Sequence, residues 1–112
     1  MLRRKPVAKP MKREQIISAI KQAMKPFQPL VTTMLYGSEA RGEARSDSDI
    51  DLLILVDQKE VSLADEMRIS DPLYDIELNT GVLINSIVMP KERWGKMITP
   101  FYENVMKDGI VL

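Results

Sequence analysis

Five aliphatic residues in succession, Leu52 to Val56, follow two aspartates set one residue apart, Asp49 and Asp51. A short unbroken apolar run of this kind reads as a buried strand. Side chains at i and i+2 of a strand project from the same face, so the two carboxylates stand side by side at its mouth. Neighbouring carboxylates repel unless a cation or a shared proton relieves them, and a fold gains nothing by pairing them. A divalent metal is the simplest reason for the arrangement, because Mg²⁺ takes one or two carboxylates together with the oxygens of a bound phosphate. Ten intervening residues separate Asp49 from the upstream pair Gly37-Ser38. Its turn offers backbone N–H groups and a hydroxyl able to hold that phosphate.

Composition narrows the choice of ion. The chain has no His and no Cys, so imidazole and thiolate ligands, disulfides and zinc-type sites are excluded. An oxygen-only site favours Mg²⁺ or Mn²⁺. With 16 basic and 16 acidic residues the formal net charge is zero, which argues against a broadly basic nucleic-acid surface. No stretch is long or apolar enough for a signal peptide or a membrane span, and the expected location is the cytoplasm. The 112 residues are enough for one core but not for a catalytic domain plus a separate binding domain.

Residues 1–11 hold two prolines and four basic side chains without periodicity, and read as a loose basic arm. Residues 12–112 are then a single domain. Ile16, Ile17, Ile20, Ala23 and Met24 mark one face of a helix from Lys12 to Met24, closed by Pro26 and Pro29. Val31 to Tyr36 is a β-branched and aromatic strand, ending at Gly37. A short helix over Glu39–Arg45 is expected next, placing Arg41 and Arg45 on one face. After the strand that ends at Val56, a long helix over about 62–79 is expected, interrupted at Ser70-Asp71-Pro72 and capped by Gly81. Val82 to Val88 is a third strand, stopped by Pro90, and short helices over 91–98 and 101–107 follow. Alternating helices and strands give an α/β (α+β) domain with a small mixed sheet flanked by helices.

The stretches Tyr36-Gly37-Ser38-Glu39-Ala40-Arg41-Gly42 and Ser46-Asp47-Ser48-Asp49-Ile50-Asp51-Leu52 resemble the signature of the minimal nucleotidyltransferases of the polymerase-beta superfamily. That pattern is Gly-Ser, ten residues, Asp-x-Asp, and it is matched in full. The resemblance implies the polymerase-beta-like fold: a three- or four-stranded mixed sheet with the Gly-Ser turn and both aspartates at one edge. It implies that Asp49 and Asp51 are catalytic and hold the metal, and that Gly37 and Ser38 grip a nucleoside triphosphate. Arg41 matches the basic position of the motif and is given a phosphate-binding or structural role. Ser-Asp-Ser-Asp is also good turn composition, but the full spacing outweighs that bland reading.

One position departs from the family. Many members place a third carboxylate on a later strand as general base, and the tentative equivalent here is Asn85, on a face with Leu83 and Ile87. An amide cannot accept a proton at neutral pH. Glu77 or Asp75 compensates only if the fold brings it near, and Glu39, Glu43 and Asp47 read as surface residues.

The leading expectation is a metal-dependent transfer of a nucleoside monophosphate, AMP from ATP, to an acceptor hydroxyl. Small stand-alone members of the family are commonly antitoxins paired with a helical HEPN partner, and the acceptor there is a tyrosine of that toxin. A second reading is a weakly active or inactive antitoxin that neutralises its partner by contact. A third is a subunit of a small-molecule, antibiotic-type nucleotidyltransferase, with a partner subunit or a homo-oligomer supplying the acceptor pocket.

Overall fold

The computed structural model describes residues 12–112; the basic arm expected at residues 1–11 lies outside them. In chain order the elements are α1 (Arg13–Met24), a 3₁₀ turn (Lys25–Phe27), β1 (Val31–Tyr36) and α2 (Gly37–Ala40). They continue with β2 (Ile50–Val56), α3 (Leu63–Thr80), β3 (Ile84–Pro90), α4 (Lys91–Gly95), α5 (Pro100–Asp108) and β4 (Ile110–Val111). The four strands form one mixed sheet in the order β3-β2-β1-β4. β1 is antiparallel to both β2 and β4, whereas β2 and β3 run parallel. Parallel strands need a long crossover, and α3 supplies it.

Helices cover both faces of the sheet. On one, Ile16, Ile20 and Met24 of α1 and Ile69 and Leu73 of α3 pack with Val31, Leu35, Ile50, Leu52, Ile54 and Val56. On the other, Trp94 and Val105 pack with Leu53, Leu55 and Met89. β2 is therefore covered from both sides, and Leu52, Leu53 and Ile54 are fully buried. That double burial is why its apolar run does not alternate. Each such side chain contributes about 1.5–3 kcal/mol relative to exposure.

Several boundaries differ from the sequence expectation. α3 runs through Ser70-Asp71-Pro72 without a break. A proline inside a helix costs about 3 kcal/mol, but Ile69 and Leu73 on either side of it share one buried face, and their packing keeps the helix whole. A reciprocal cap starts α3: the Ser62 hydroxyl accepts from the Asp65 N–H at 3.1 Å, and the Asp65 carboxylate accepts from the Ser62 N–H at 3.3 Å. Gly81 ends it at φ 73°. The helix expected over 39–45 is only Gly37–Ala40, so Arg41 and Arg45 share no helical face. β3 lies two residues later than expected, because its pairing with β2 runs from Ile50↔Ile84 to Val56↔Pro90. The two-residue β4 had no counterpart in the sequence reading. The Gly-Ser turn and the aspartates sit together at one end of the two inner strands.

Candidate active site

Strand directions assemble the site. Because β1 and β2 are antiparallel, the end of β1 meets the start of β2, pairing Tyr36 with Asp51. Because β2 and β3 are parallel, their starts lie together, pairing Asp51 with Asn85. Directly paired residues project from the same face of a sheet, so Tyr36, Asp51 and Asn85 form a row across three strands. Asp49, two residues before Asp51, joins them. The Asn85 side-chain amide donates to Asp49 Oδ2 at 3.3 Å and to Asp51 Oδ1 at 3.2 Å, bridging the two carboxylates. Asp49 and Asn85 are exposed and Asp51 is half-buried. No cluster of three or more His, Cys, Asp or Glu side chains able to hold a metal occurs among the described residues.

Gly37 closes the row. Its φ of 73° is in the left-handed region, and a Cβ built on it would stand 2.4 Å from Asp51 Oδ2. Only glycine lets the turn lie against that carboxylate. Ser38 follows, and its hydroxyl takes part in no hydrogen bond among the described residues. Its carbonyl accepts from the Glu43 N–H at 2.9 Å, which folds the connecting loop back on the turn. With four residues, α2 has too little helix dipole to matter, so any anion here relies on the Ser38 hydroxyl and the turn amides.

The other residues singled out from sequence have partners of their own. Arg41 forms an ion pair with Glu43 at 3.1 Å, with both side chains largely exposed. Arg45 donates its backbone N–H to Ser48 Oγ at 2.8 Å. Glu77 does not reach the aspartates; its carboxylate accepts from the Ile84 N–H at 2.7 Å and caps the start of β3. Glu39, read as a surface residue, is mostly buried, its side chain 12% exposed beside Arg13.

Arg13 is the residue that sequence reasoning missed. Its guanidinium donates to the Ser48 carbonyl at 2.6 Å and to Glu39 at 3.4 Å. The first residue of α1 thus pins the loop that delivers Asp49. The contact spans 35 residues of chain, and no local pattern announces it.

Tyr36 lines the row's other side, its ring edge-on to Phe101 with centroids 5.3 Å apart. Burial, and then the charge of Asp51, push its hydroxyl above its ordinary pKa of 10.0. The phenol stays protonated beside the carboxylate. A group whose folded pKa is raised contributes stability that is present below the unfolded value and lost as pH rises through the folded one. Tyr36→Phe is therefore expected to flatten the loss of stability above about pH 10, the ordinary tyrosine value. Urea midpoints measured from pH 8 to 11 check this; identical alkaline slopes for both proteins would count against it.

The profile of the family described as polymerase beta, nucleotidyltransferase matches residues 14–112. The chain belongs to the polymerase beta nucleotidyltransferase family. A relative from Methanocaldococcus jannaschii, named as a protein adenylyltransferase, is 39% identical over 80 residues, covering 70% of this chain and 74% of its own. A solved structure described as a minimal nucleotidyltransferase superposes with a TM-score of 0.64 at 24% identity, covering 94% of this chain and 100% of its own. A crystal structure of a toxin-antitoxin with AMP-PNP superposes with a TM-score of 0.59 at 16% identity, over 89% of this chain and 72% of its own. At these identities the two structures bear on the fold. The family makes the protein a nucleotidyltransferase. One groove, of about 850 Å³, is lined by Val88, Pro90 and Lys96 at the far end of β3, and another, of about 560 Å³, by Arg13, Asp47 and Val82 beside the loop that leads to Asp49. The paired aspartates stand at an open sheet end. No helix of the described residues is long and apolar enough to cross a membrane.

Proposed function

We propose that this nucleotidyltransferase moves AMP from ATP to a hydroxyl of a protein partner. The observation that carries the reading is the carboxylate pair bridged by a side-chain amide, beside a glycine that nothing larger can replace. Two acceptor-only groups held together call for a positive counterpart, and their oxygens suit a hard cation such as Mg²⁺ or Mn²⁺. Asp49 and Asp51 would hold it. When bound, the ion neutralises charge on the triphosphate.

Gly37 lets the backbone approach the triphosphate tail, and the Ser38 hydroxyl donates to one of its oxygens. The acceptor oxygen attacks the α-phosphorus in line; its bond to phosphorus forms as the bond to pyrophosphate breaks. The acceptor's proton passes to Asp51 or to water, since Asn85 cannot take it. Positioned general bases contribute typically about 10²–10⁴-fold, so the transfer is slow. A phenol suits such a site, because with a pKa of about 10 it ionises far more readily than a serine hydroxyl.

A protein acceptor is supported by the exposure of Asp49 and Asn85 at the sheet end, where a bulky partner can reach the carboxylates. The name of the archaeal relative and the toxin-antitoxin fold likeness point the same way. We take the acceptor to be a tyrosine of a helical, HEPN-type partner. Incubating the protein with Mg²⁺, labelled ATP and the product of the neighbouring gene tests this. Label should appear on a tyrosine of that partner, and none should appear with Asp49→Asn. Stable complex formation without any label would favour a binding module instead.

Ser38→Ala is expected to weaken ATP binding, because a hydrogen bond to a charged acceptor contributes about 1.5–3 kcal/mol. Its hydroxyl supports no part of the fold, so Tm should hold. A large drop in Tm at unchanged ATP affinity would make Ser38 structural.

A further inference from the structure

We propose that Asn85 is a two-state side chain. Its NH₂ group ties Asp49 to Asp51 when no cation is bound, and its carbonyl oxygen turns inward as a third ligand when one is. The inference rests on the reading of the aspartates as cation ligands and adds to it a defined role for the position where the family's third acid is absent.

The geometry points to this exchange. Ionised carboxylates only accept hydrogen bonds, so the metal-free pair selects the donor end of the amide. The Asn85 nitrogen lies 3.3 Å from Asp49 Oδ2 and 3.2 Å from Asp51 Oδ1. Neighbouring ligand oxygens around an octahedral Mg²⁺, each about 2.0–2.1 Å from the ion, are roughly 3 Å apart. The amide nitrogen is thus separated from the two carboxylate oxygens by about the spacing of neighbouring ligands, so the amide can reach the same ion. Half a turn about the terminal torsion exchanges nitrogen for oxygen at almost constant volume, and that torsion is broad and roughly two-fold.

The surroundings permit the turn. Asn85 is exposed, and Leu83 and Ile87, two residues to either side of it, are also exposed, 52% and 38%, so the amide faces solvent and not the core. Its backbone is held by the pairing with Asp51, which keeps the pivot in place. Aspartate at this position would set three like charges together in the metal-free protein. Asparagine avoids that repulsion while keeping an oxygen for the ion.

The test uses the full chain, with Mn²⁺ and Mg²⁺ as probes and two readouts other than activity. The first is the Asn85 NH₂ resonance pair, assigned by its loss in Asn85→Ala. Saturating Mg²⁺ should move it away from its carboxylate-bonded position. The second is Mn²⁺ affinity by calorimetry, with Tm in chelator and in Mg²⁺. Asn85→Ala should bind Mn²⁺ about tenfold or more weakly, as loss of a supporting group at a metal site does, and melt lower in chelator. Asn85→Asp should melt lower than wild type in chelator yet bind Mn²⁺ more tightly. This opposed pair of signs distinguishes a ligand from a mere strand residue. If wild type binds Mn²⁺ through Asp51 while the Asn85 resonances stay put and Asn85→Ala binds equally well, the two-state role falls and the carboxylate reading stands. Wild type that binds no Mn²⁺ overturns both.

Discussion

Asp51→Asn is expected to abolish the part of ATP affinity that depends on Mg²⁺ and to slow nucleotidyl transfer by about 10²–10³-fold or more, the scale for losing one preorganised charge-stabilising group. The amide matches the carboxylate in size, so the row Tyr36–Asp51–Asn85 keeps its shape. What is lost is charge. A neutral oxygen does not offset a divalent cation, and Asp49 alone remains beside Asn85. Folding stability should be kept, because the substitution also removes the repulsion between the two aspartates. Calorimetric titration of ATP in chelator and in Mg²⁺, for both proteins, measures the difference directly. Wild-type affinity that is the same in both buffers would remove the basis for a metal-holding pair.

Gly37→Ala should inactivate the enzyme by a different route. The φ of 73° costs a residue with a Cβ about 1–2 kcal/mol, and the new atom would lie 2.4 Å from Asp51 Oδ2. Either the carboxylate swings out of the row or the turn moves away from the triphosphate. Gly42 provides the control, since its φ is 72° and nothing lies within 4 Å of where a Cβ would sit. Gly42→Ala carries only the conformational strain, lowering Tm by roughly 4–8 °C per kcal/mol in a domain of this size. Transfer by that variant should persist, while Gly37→Ala loses it to below about one hundredth of wild type, comparable to removal of a catalytic donor. Equal activity for the two variants would mean that Gly37 serves the turn and not the site.

The features legible in the sequence are those with local causes. β1 and β2 announce themselves through β-branched and aliphatic runs, and the spacing from Gly37-Ser38 to Asp49 and Asp51 is a property of one loop. Asn85 is singled out by the family's acid on a later strand together with strand parity, with no knowledge of the pairing. What was hidden depends on partners distant in the chain. Arg13 looks like one more polar residue at a helix start until the loop carbonyl of Ser48 is placed against it. Pro72 reads as a break until Ile69 and Leu73 are seen to share a core with β2. β4 has two residues and exists only because β1 offers a free edge. The short α2 lies earlier than composition suggests because Gly37 begins the helical turn itself, whereas the good helix formers come after it.

The parallel pairing of β2 with β3 has a kinetic consequence. Asp49 and Asp51 reach Asn85 only after the chain from Asp57 to Leu83 has closed its crossover through α3, and non-local closures of this kind form slowly relative to helices and hairpins. The β1–β2 hairpin can form while the third member of the row is still far away. During refolding, helical signal should therefore return before the Asn85 amide resonances and before the burial of Trp94, which packs with Met89 of β3. The newly made chain would pass through a stage in which the Gly37-Ser38 turn and the aspartates are in place but nothing yet ties the two carboxylates together.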